Sequence, residues 1–120
     1  MRIIVAGGRD FSDVSYLKTT LDNIEVGLGA DDLFHLVSGT ARGADRLAEQ
    51  WASQKGLGIS RFPADWNTHG KSAGYRRNVE MADNADALVA FWDGMSKGTQ
   101  HMINIAGKKK LLVQVFNYEY

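Results

Sequence analysis

The chain has 120 residues, with 14 Lys+Arg against 14 Asp+Glu, 13 Gly, one Pro and no Cys. That length suits one domain, residues 1–120, able to bury a core without staples, and the lack of Cys excludes a disulfide framework, a thiolate zinc site and a Cys nucleophile. The zero net charge argues against an indiscriminate nucleic-acid binder, and no apolar run reaches the ~18 residues of a spanning helix.

In chain order, residues 3–6 are an apolar run ended by Gly7-Gly8, which suits a strand buried on both faces. Ser12 or Asp13 is placed to cap a helix whose apolar positions are Val14, Leu17, Leu21 and Ile24, with Gly27 and Gly29 ending it. Residues 33–38 read as a second strand. A turn over 39–43 leads to a helix carrying Ala44, Leu47, Ala48, Trp51 and Ala52 on one stripe. Residues 58–62 form a short third strand stopped by Pro63, and 64–73 read as irregular. A helix then runs to about Asn84, with Val79 and Ala82 inward. Residues 87–92 are the fourth strand, 93–97 a loop, Gly98 the opening of a helix to about Ala106, and 110–116 the last strand. Strict alternation of strand and helix predicts an α/β domain: a Rossmann-like open parallel five-stranded sheet, helices on both faces, in order 3-2-1-4-5.

Ligands of such sheets bind beyond the carboxyl ends of the strands, at the point where strand order reverses. Here that is between strands one and four. Four strand-to-helix loops meet there. They hold eight of the 13 glycines (Gly7, Gly8, Gly39, Gly43, Gly70, Gly74, Gly94, Gly98). With the openings of the following helices they hold seven of the 14 basic residues (Arg9, Arg42, Arg46, Lys71, Arg76, Arg77, Lys97). Glycine admits close backbone approach, helix N-termini present free N–H groups, and arginine grips phosphate with a fork. The combination predicts a small-molecule site for a phosphorylated, nucleotide-type ligand. Its candidate residues are Gly7, Gly8, Arg9, Asp10, Ser38, Gly39, Thr40, Arg42, Gly43, Asp45, Trp66, Arg76, Arg77, Asn78, Asp93, Gly98 and Thr99. No loop carries a Walker-A pattern or GxGxxG.

Within this set Asp45 either caps its helix or holds Arg42. Asp93 binds ribose, acts as an acid/base or merely closes a turn. Arg76 and Arg77 point about 100° apart on a helix, so one of them reaches the ligand. Trp66, Tyr75 and Trp92 flank the mouth, where one could stack on a base, with strand-end core packing as the other reading of Trp92, while Trp51 fits the core. His69 is placed as an acid/base group or as a solvated loop residue, and His101, one turn into the fourth helix, faces either the cleft or solvent. His35, His69 and His101 show no metal-ligand spacing, so no metal is expected.

The ordered segments Gly7-Gly8-Arg9-Asp10-Phe11, Val37-Ser38-Gly39-Thr40-Ala41-Arg42-Gly43-Ala44-Asp45, Phe62-Pro63-Ala64-Asp65-Trp66, Gly74-Tyr75-Arg76-Arg77-Asn78-Val79-Glu80-Met81, and Asp86 through Trp92 into Asp93-Gly94 and Gly98-Thr99 resemble the YspA-related branch of the SMF/DprA–LOG (SLOG) superfamily. The resemblance covers nearly the whole chain and implies a Rossmann-like domain for a nucleotide or nucleotide-derived ligand. LOG-type phosphoribohydrolases cleave the base from nucleoside monophosphates. Their Arg-Lys…Met segment is similar to Arg77-Asn78…Met81, and their Pro-Gly-Gly-x-Gly-Thr-x-x-Glu motif aligns with the stretch ending Gly98-Thr99-Gln100-His101-Met102. Nucleoside deoxyribosyltransferases likewise resemble Asp93-Gly94 and Gly98-Thr99. In both comparisons the Glu falls on Met102, and the Pro-Gly-Gly of the LOG motif is missing. A thioether cannot do a carboxylate's work.

The leading expectation is therefore a cytoplasmic protein that binds an ADP-ribose- or NAD-related compound or a nucleoside monophosphate, as sensor, sequestering agent or processing protein. The alternative is an N-glycosidic hydrolase or transferase using Asp93, Asp65 or Glu80 in place of the absent Glu. A DNA-binding module, as in the DprA relatives, ranks last. No membrane partner and no bound cofactor are expected. Homo-oligomerisation fits the superfamily, and Phe116, Tyr118 and Tyr120 are its offered contacts, with edge-strand packing as the other reading.

Overall fold

The computed structural model describes residues 1–119; Tyr120, one of the aromatic residues offered for self-association, lies outside them. Five strands alternate with five helices: β1 (Arg2–Gly7), α1 (Val14–Gly27), β2 (His35–Ser38), α2 (Ala44–Gln54), β3 (Ile59–Arg61), α3 (Trp66–His69), α4 (Ala73–Asp83), β4 (Ala87–Trp92), α5 (Lys97–Lys108) and β5 (Leu112–Asn117). All strand pairings are parallel, and the sheet order is β3-β2-β1-β4-β5, as the alternation predicts.

Strand period sorts the core. Successive residues of a strand face opposite sides of the sheet. Ile3 and Val5 of β1 pack with Phe11, Leu17, Leu21, Phe34, Leu36, Ala44, Ala48 and Trp51 under α1 and α2. Ile4 and Ala6 pack with Val37, Met81, Ala82, Leu88, Ala90, Met102 and Ala106 under α4 and α5. Each large side chain so buried contributes about 1.5–3 kcal/mol. Trp51 sits in the first of these clusters, edge-on to Phe34 at 4.9 Å, with its indole N–H donated to Asp22 at 2.9 Å. The stripe of α2 is the one its spacing predicts. No helix among the described residues is long and apolar enough to cross a membrane.

Several boundaries and faces differ from the sequence reading. Strands β2 and β3 are shorter than 33–38 and 58–62, and β5 begins two residues later than 110. Asp13, not Ser12, caps α1, its carboxylate accepting the Tyr16 amide at 3.1 Å. The 64–73 stretch is not irregular. Asp65 caps α3 by accepting the Thr68 amide at 3.1 Å, and a 3-10 turn over Gly70–Ser72 runs straight into α4. The inner face of α4 centres on Asn78, Met81 and Ala82 rather than on Val79. Tyr118 is 9% exposed, its ring edge-on to Phe11 at 4.8 Å and its hydroxyl donated to Asp10 at 3.0 Å. That burial removes it as a surface contact for a second copy. Phe116 stacks on Phe91 at 5.8 Å.

Candidate functional site

The carboxyl ends of β1 and β4 open into a cleft of about 750 Å³. Its walls take Gly7, Gly8, Arg9 and Asp10 from the β1–α1 loop, Ala41, Arg42 and Asp45 from the β2–α2 turn, and Trp66 and Lys71 from the segment before α4. Gly74, Tyr75, Arg77, Asn78 and Met81 of α4 add a third wall, and Ser96, Gly98, Thr99 and Met102 at α5 a fourth. Eleven of the predicted ligand residues therefore meet here: Gly7, Gly8, Arg9, Asp10, Arg42, Asp45, Trp66, Arg77, Asn78, Gly98 and Thr99. Gly39 and Thr40 line a smaller adjoining cavity.

The glycines make these loops pack on one another. Gly43 has φ +81°, and a Cβ there would strike the Gly8 carbonyl oxygen and lie 2.8 Å from the Arg9 backbone. Gly43→Ala is expected to cost about 2 kcal/mol, combining left-handed strain with displacement of the first loop. Equilibrium urea unfolding measures it, and an unchanged midpoint would contradict this packing. Thr40 is also left-handed, at φ 64°, a conformation that a β-branched residue avoids. Its amide donates to Ser38 Oγ at 3.1 Å, and that hydroxyl donates to Glu49 at 2.6 Å. Arg61 Nε donates to the other Glu49 oxygen at 2.7 Å. Ser38 is thus buried structural support, not a cleft residue.

Arg77 is the arginine that turns inward. Its Nη1 donates to the Gly39 carbonyl, and its Nε to Asn78 Oδ1 at 3.2 Å. Asn78 Nδ2 donates to the Gly98 carbonyl at 3.3 Å and to His101 Nδ1 at 3.1 Å. One amide therefore orients the guanidinium and ties α4 to α5. Nη2 of Arg77 has no protein acceptor among the described residues. Arg76 lies outside the cleft wall, its Nε donated to Ser72 Oγ at 3.1 Å.

Asp45 is 6% exposed. It neither caps α2, whose N-cap is Gly43, nor pairs with Arg42; its Oδ2 accepts the Ala41 amide at 3.2 Å. Burial pushes its carboxyl up to about 7, against the pull of that amide and of the nearby Arg77 and Arg9 charges.

The three carboxylates offered for acid/base work are not in the cleft wall. Asp93 Oδ1 accepts the Met95 and Ser96 amides at 2.9 and 2.8 Å, which lowers its carboxyl below the usual range. That turn holds it outside the cleft, so its candidacy as a ribose ligand also loses its geometric basis. Asp65 serves α3, whose Thr68 contacts lower its carboxyl, and Glu80 is exposed on α4. Among the lining residues the carboxylates are Asp10 and Asp45.

Helix α5 begins at Lys97, with Ser96 as its cap; the Thr99 amide donates to Ser96 Oγ at 3.4 Å and is not free for a phosphate. The Thr99 hydroxyl lies 3.2 Å from that of Ser96. Met102 is 1% exposed and forms part of the floor.

Trp66 and Tyr75 are 50% and 46% exposed and line the mouth. Tyr75 packs on His101 at 4.4 Å, and burial lowers the His101 pKa. Trp92 does not line the cleft; its indole N–H donates to the Ser96 carbonyl at 3.1 Å. His69 closes α3 in an exposed position. Met81, Ser96 and Lys71 also line the cleft. Lys71 was signalled as a basic loop residue and Met81 by the family resemblance, whereas Ser96 had only its nearness to a glycine-rich loop.

Residues 1–69 match the model of the family described as YspA, cpYpsA-related SLOG. The Gene 61 protein of Mycobacterium phage D29 is 36% identical over 119 residues, a match that covers 89% of each chain. The crystal structure of DNA processing protein A (DprA) from Streptococcus pneumoniae superposes with a TM-score of 0.76 at 16% identity, over 95% of this chain and 49% of that one. The chain thus spans about half the length of that structure, and the likeness at this identity is one of fold. The family match, over more than half the chain and on the two loops that build one wall of the cleft, shows that this protein belongs to the YspA, cpYpsA-related SLOG family.

Proposed function

We propose that this protein binds a nucleotide or nucleotide-derived ligand in the cleft between β1 and β4, as a sensor, sequestering or processing protein. One observation carries the reading: Arg9, Arg42 and Arg77 converge on the same cavity as the half-exposed rings of Trp66 and Tyr75. Arginine forks suit phosphate, and an exposed aromatic face suits a base. The volume falls within the usual range of roughly 300–1,000 Å³ for small-molecule sites. Family membership supports the same class of ligand.

The test is a calorimetric screen of nucleoside mono- and diphosphates and ADP-ribose derivatives. Binding of at least one is expected, with quenching of Trp66 fluorescence. Trp66→Ala should weaken that ligand about tenfold, the scale of one lost base–aromatic stack. A screen without heat from any member refutes the reading.

An N-glycosidic reaction is the second reading, favoured by one observation: Asp10 and Asp45 stand in the cleft wall although Met102 occupies the position of the relatives' glutamate. Chromatography of nucleotides incubated with the protein tests it; free base abolished by Asp45→Asn or Asp10→Asn would support it. The DNA processing named for the structural neighbour is that protein's own, and the zero net charge argues against indiscriminate nucleic-acid binding.

A further inference from the structure

The main cleft continues into a second cavity of about 290 Å³ on the β2 side. Arg9, Ala41, Arg42, Trp66 and Arg77 line both spaces and form the passage between them. The smaller space adds Arg46 and the strained Thr40. We propose that this compartment holds a second anionic group of the ligand, so that the preferred ligand is a nucleoside diphosphate or a diphosphate-bridged conjugate rather than a nucleoside monophosphate. The proposal rests on the nucleotide reading above and narrows it.

Charge is the first support. Four guanidiniums, from Arg9, Arg42, Arg46 and Arg77, surround the compartment, and no carboxylate lines it. Among the described residues, none of these four forms an ion pair within 4 Å. Like charges held around one concavity repel one another and focus a positive potential that an anion relieves. Asp45, whose Oδ2 accepts the Ala41 amide, lines the main cleft and not the compartment, and burial pushes its carboxyl up to about 7. It is a poor counter-ion for Arg46.

Size is the second support. At about 290 Å³ the compartment lies just below the volume of an independent small-molecule site. It has room for a phosphoryl group and its water beside the larger space, which is more than twice its volume. Tyr75, Met81 and Met102 line the larger space alone, whereas the apolar lining of the compartment is Ala41, Pro63, Ala64 and the shared Trp66. Base and ribose therefore belong on one side of the Arg77–Arg42 ridge, and the second phosphate on the other. Thr40 adds to this wall a backbone conformation of the kind retained at ligand clamps.

Arg46 separates the two ligand classes, because it lines the compartment and not the main cleft. It is exposed, so its replacement should leave folding intact, checked by an unchanged thermal unfolding curve. Calorimetric titrations would use matched mono- and diphosphates of adenosine, guanosine, cytidine and uridine, with a ten-nucleotide single-stranded DNA as comparison. At least one diphosphate is expected to bind about tenfold tighter than its monophosphate, the scale of one charge-assisted contact. Arg46→Ala should erase that difference while leaving the monophosphate within about twofold, and Arg46→Glu should reverse the preference. Equal affinity of the two classes, or an Arg46→Ala protein that keeps the preference, overturns the compartment and leaves the nucleotide reading standing. Tighter binding of the oligonucleotide than of any diphosphate, lost in Arg46→Ala, overturns it in favour of a nucleic-acid phosphate track. Silence from every mono- and diphosphate and from the ADP-ribose derivatives of the screen above removes the nucleotide reading itself.

Discussion

Arg77→Ala is expected to weaken nucleotide binding by about a hundredfold or more and to lower stability by about 3 kcal/mol. Arg77 does two jobs at once. Its Nη1 and Nε satisfy the Gly39 carbonyl and the Asn78 amide oxygen, fastening α4 to the β2–α2 turn. Its remaining nitrogen and its charge face the cleft beside Asp45. Truncation leaves a buried carbonyl without its donor and Asp45 without its largest positive neighbour, each a desolvation cost and not merely a lost contact. Arg77→Lys keeps the charge but not the fork, so it should recover part of the stability and less of the affinity. Arg76→Ala, one residue earlier and outside the cleft, should change both by less than about 0.5 kcal/mol. Urea unfolding and calorimetry on the three variants read the two effects separately. Equal losses in Arg76→Ala and Arg77→Ala would contradict the orientation of α4.

The sheet was legible because its signals are local and periodic. The apolar run at Ile3, Ile4 and Val5 predicts a doubly buried strand, and all three are buried. Alternation of such runs with helical stripes then restricts the topology to the order observed. The place of the candidate cleft followed from the topology, since the switch point lies between β1 and β4. Side-chain direction was not legible in the same way. Arg76 and Arg77 are chemically identical, and only the packing of α4 on α5 through Asn78 decides which one enters the cleft.

The acids show the same limit more sharply. Asp93, Asp65 and Asp45 each follow or precede a strand-to-helix loop, where a ligand aspartate, a turn aspartate and a cap have the same sequence signature. Asp93 bonds its own turn, Asp65 caps α3, and Asp45 is buried in the wall. Each outcome depends on hydrogen-bond partners a few residues away and on what covers them. The short α3 was missed for a related reason. Its four residues rest on the Asp65 cap and the following 3-10 turn, with no apolar stripe of their own to detect.

The second large effect is a pH dependence carried by Asp45. Its folded-state pKa, about 7, stands above the ordinary 3.8. Below the unfolded value both states hold the proton, and folding incurs no penalty. Between about 4 and 7 the folded protein keeps the proton that the unfolded chain has released, so stability falls as pH rises. Above about 7 both states are ionised and the full cost applies. Three pH units at about 1.4 kcal/mol each put that cost on the order of 4 kcal/mol. Asp45→Asn keeps an oxygen for the Ala41 amide and removes the titration. It should therefore be more stable than the parent at pH 8, by up to that amount, and nearly equal to it at pH 4. Ligand binding should follow the same proton. Ionised Asp45 competes for Arg77 and repels phosphate, whereas protonated Asp45 leaves the guanidinium to the ligand. Affinity for a nucleotide should thus rise several-fold as pH falls from 8 to 6, against the ligand's own loss of charge near pH ~6. In Asp45→Asn only that opposing trend should remain. Parallel urea melts and calorimetric titrations across pH 4–8 make the comparison. A parent and variant with the same pH slopes would show that Asp45 is ionised throughout and that the wall around it is wetter than its burial implies.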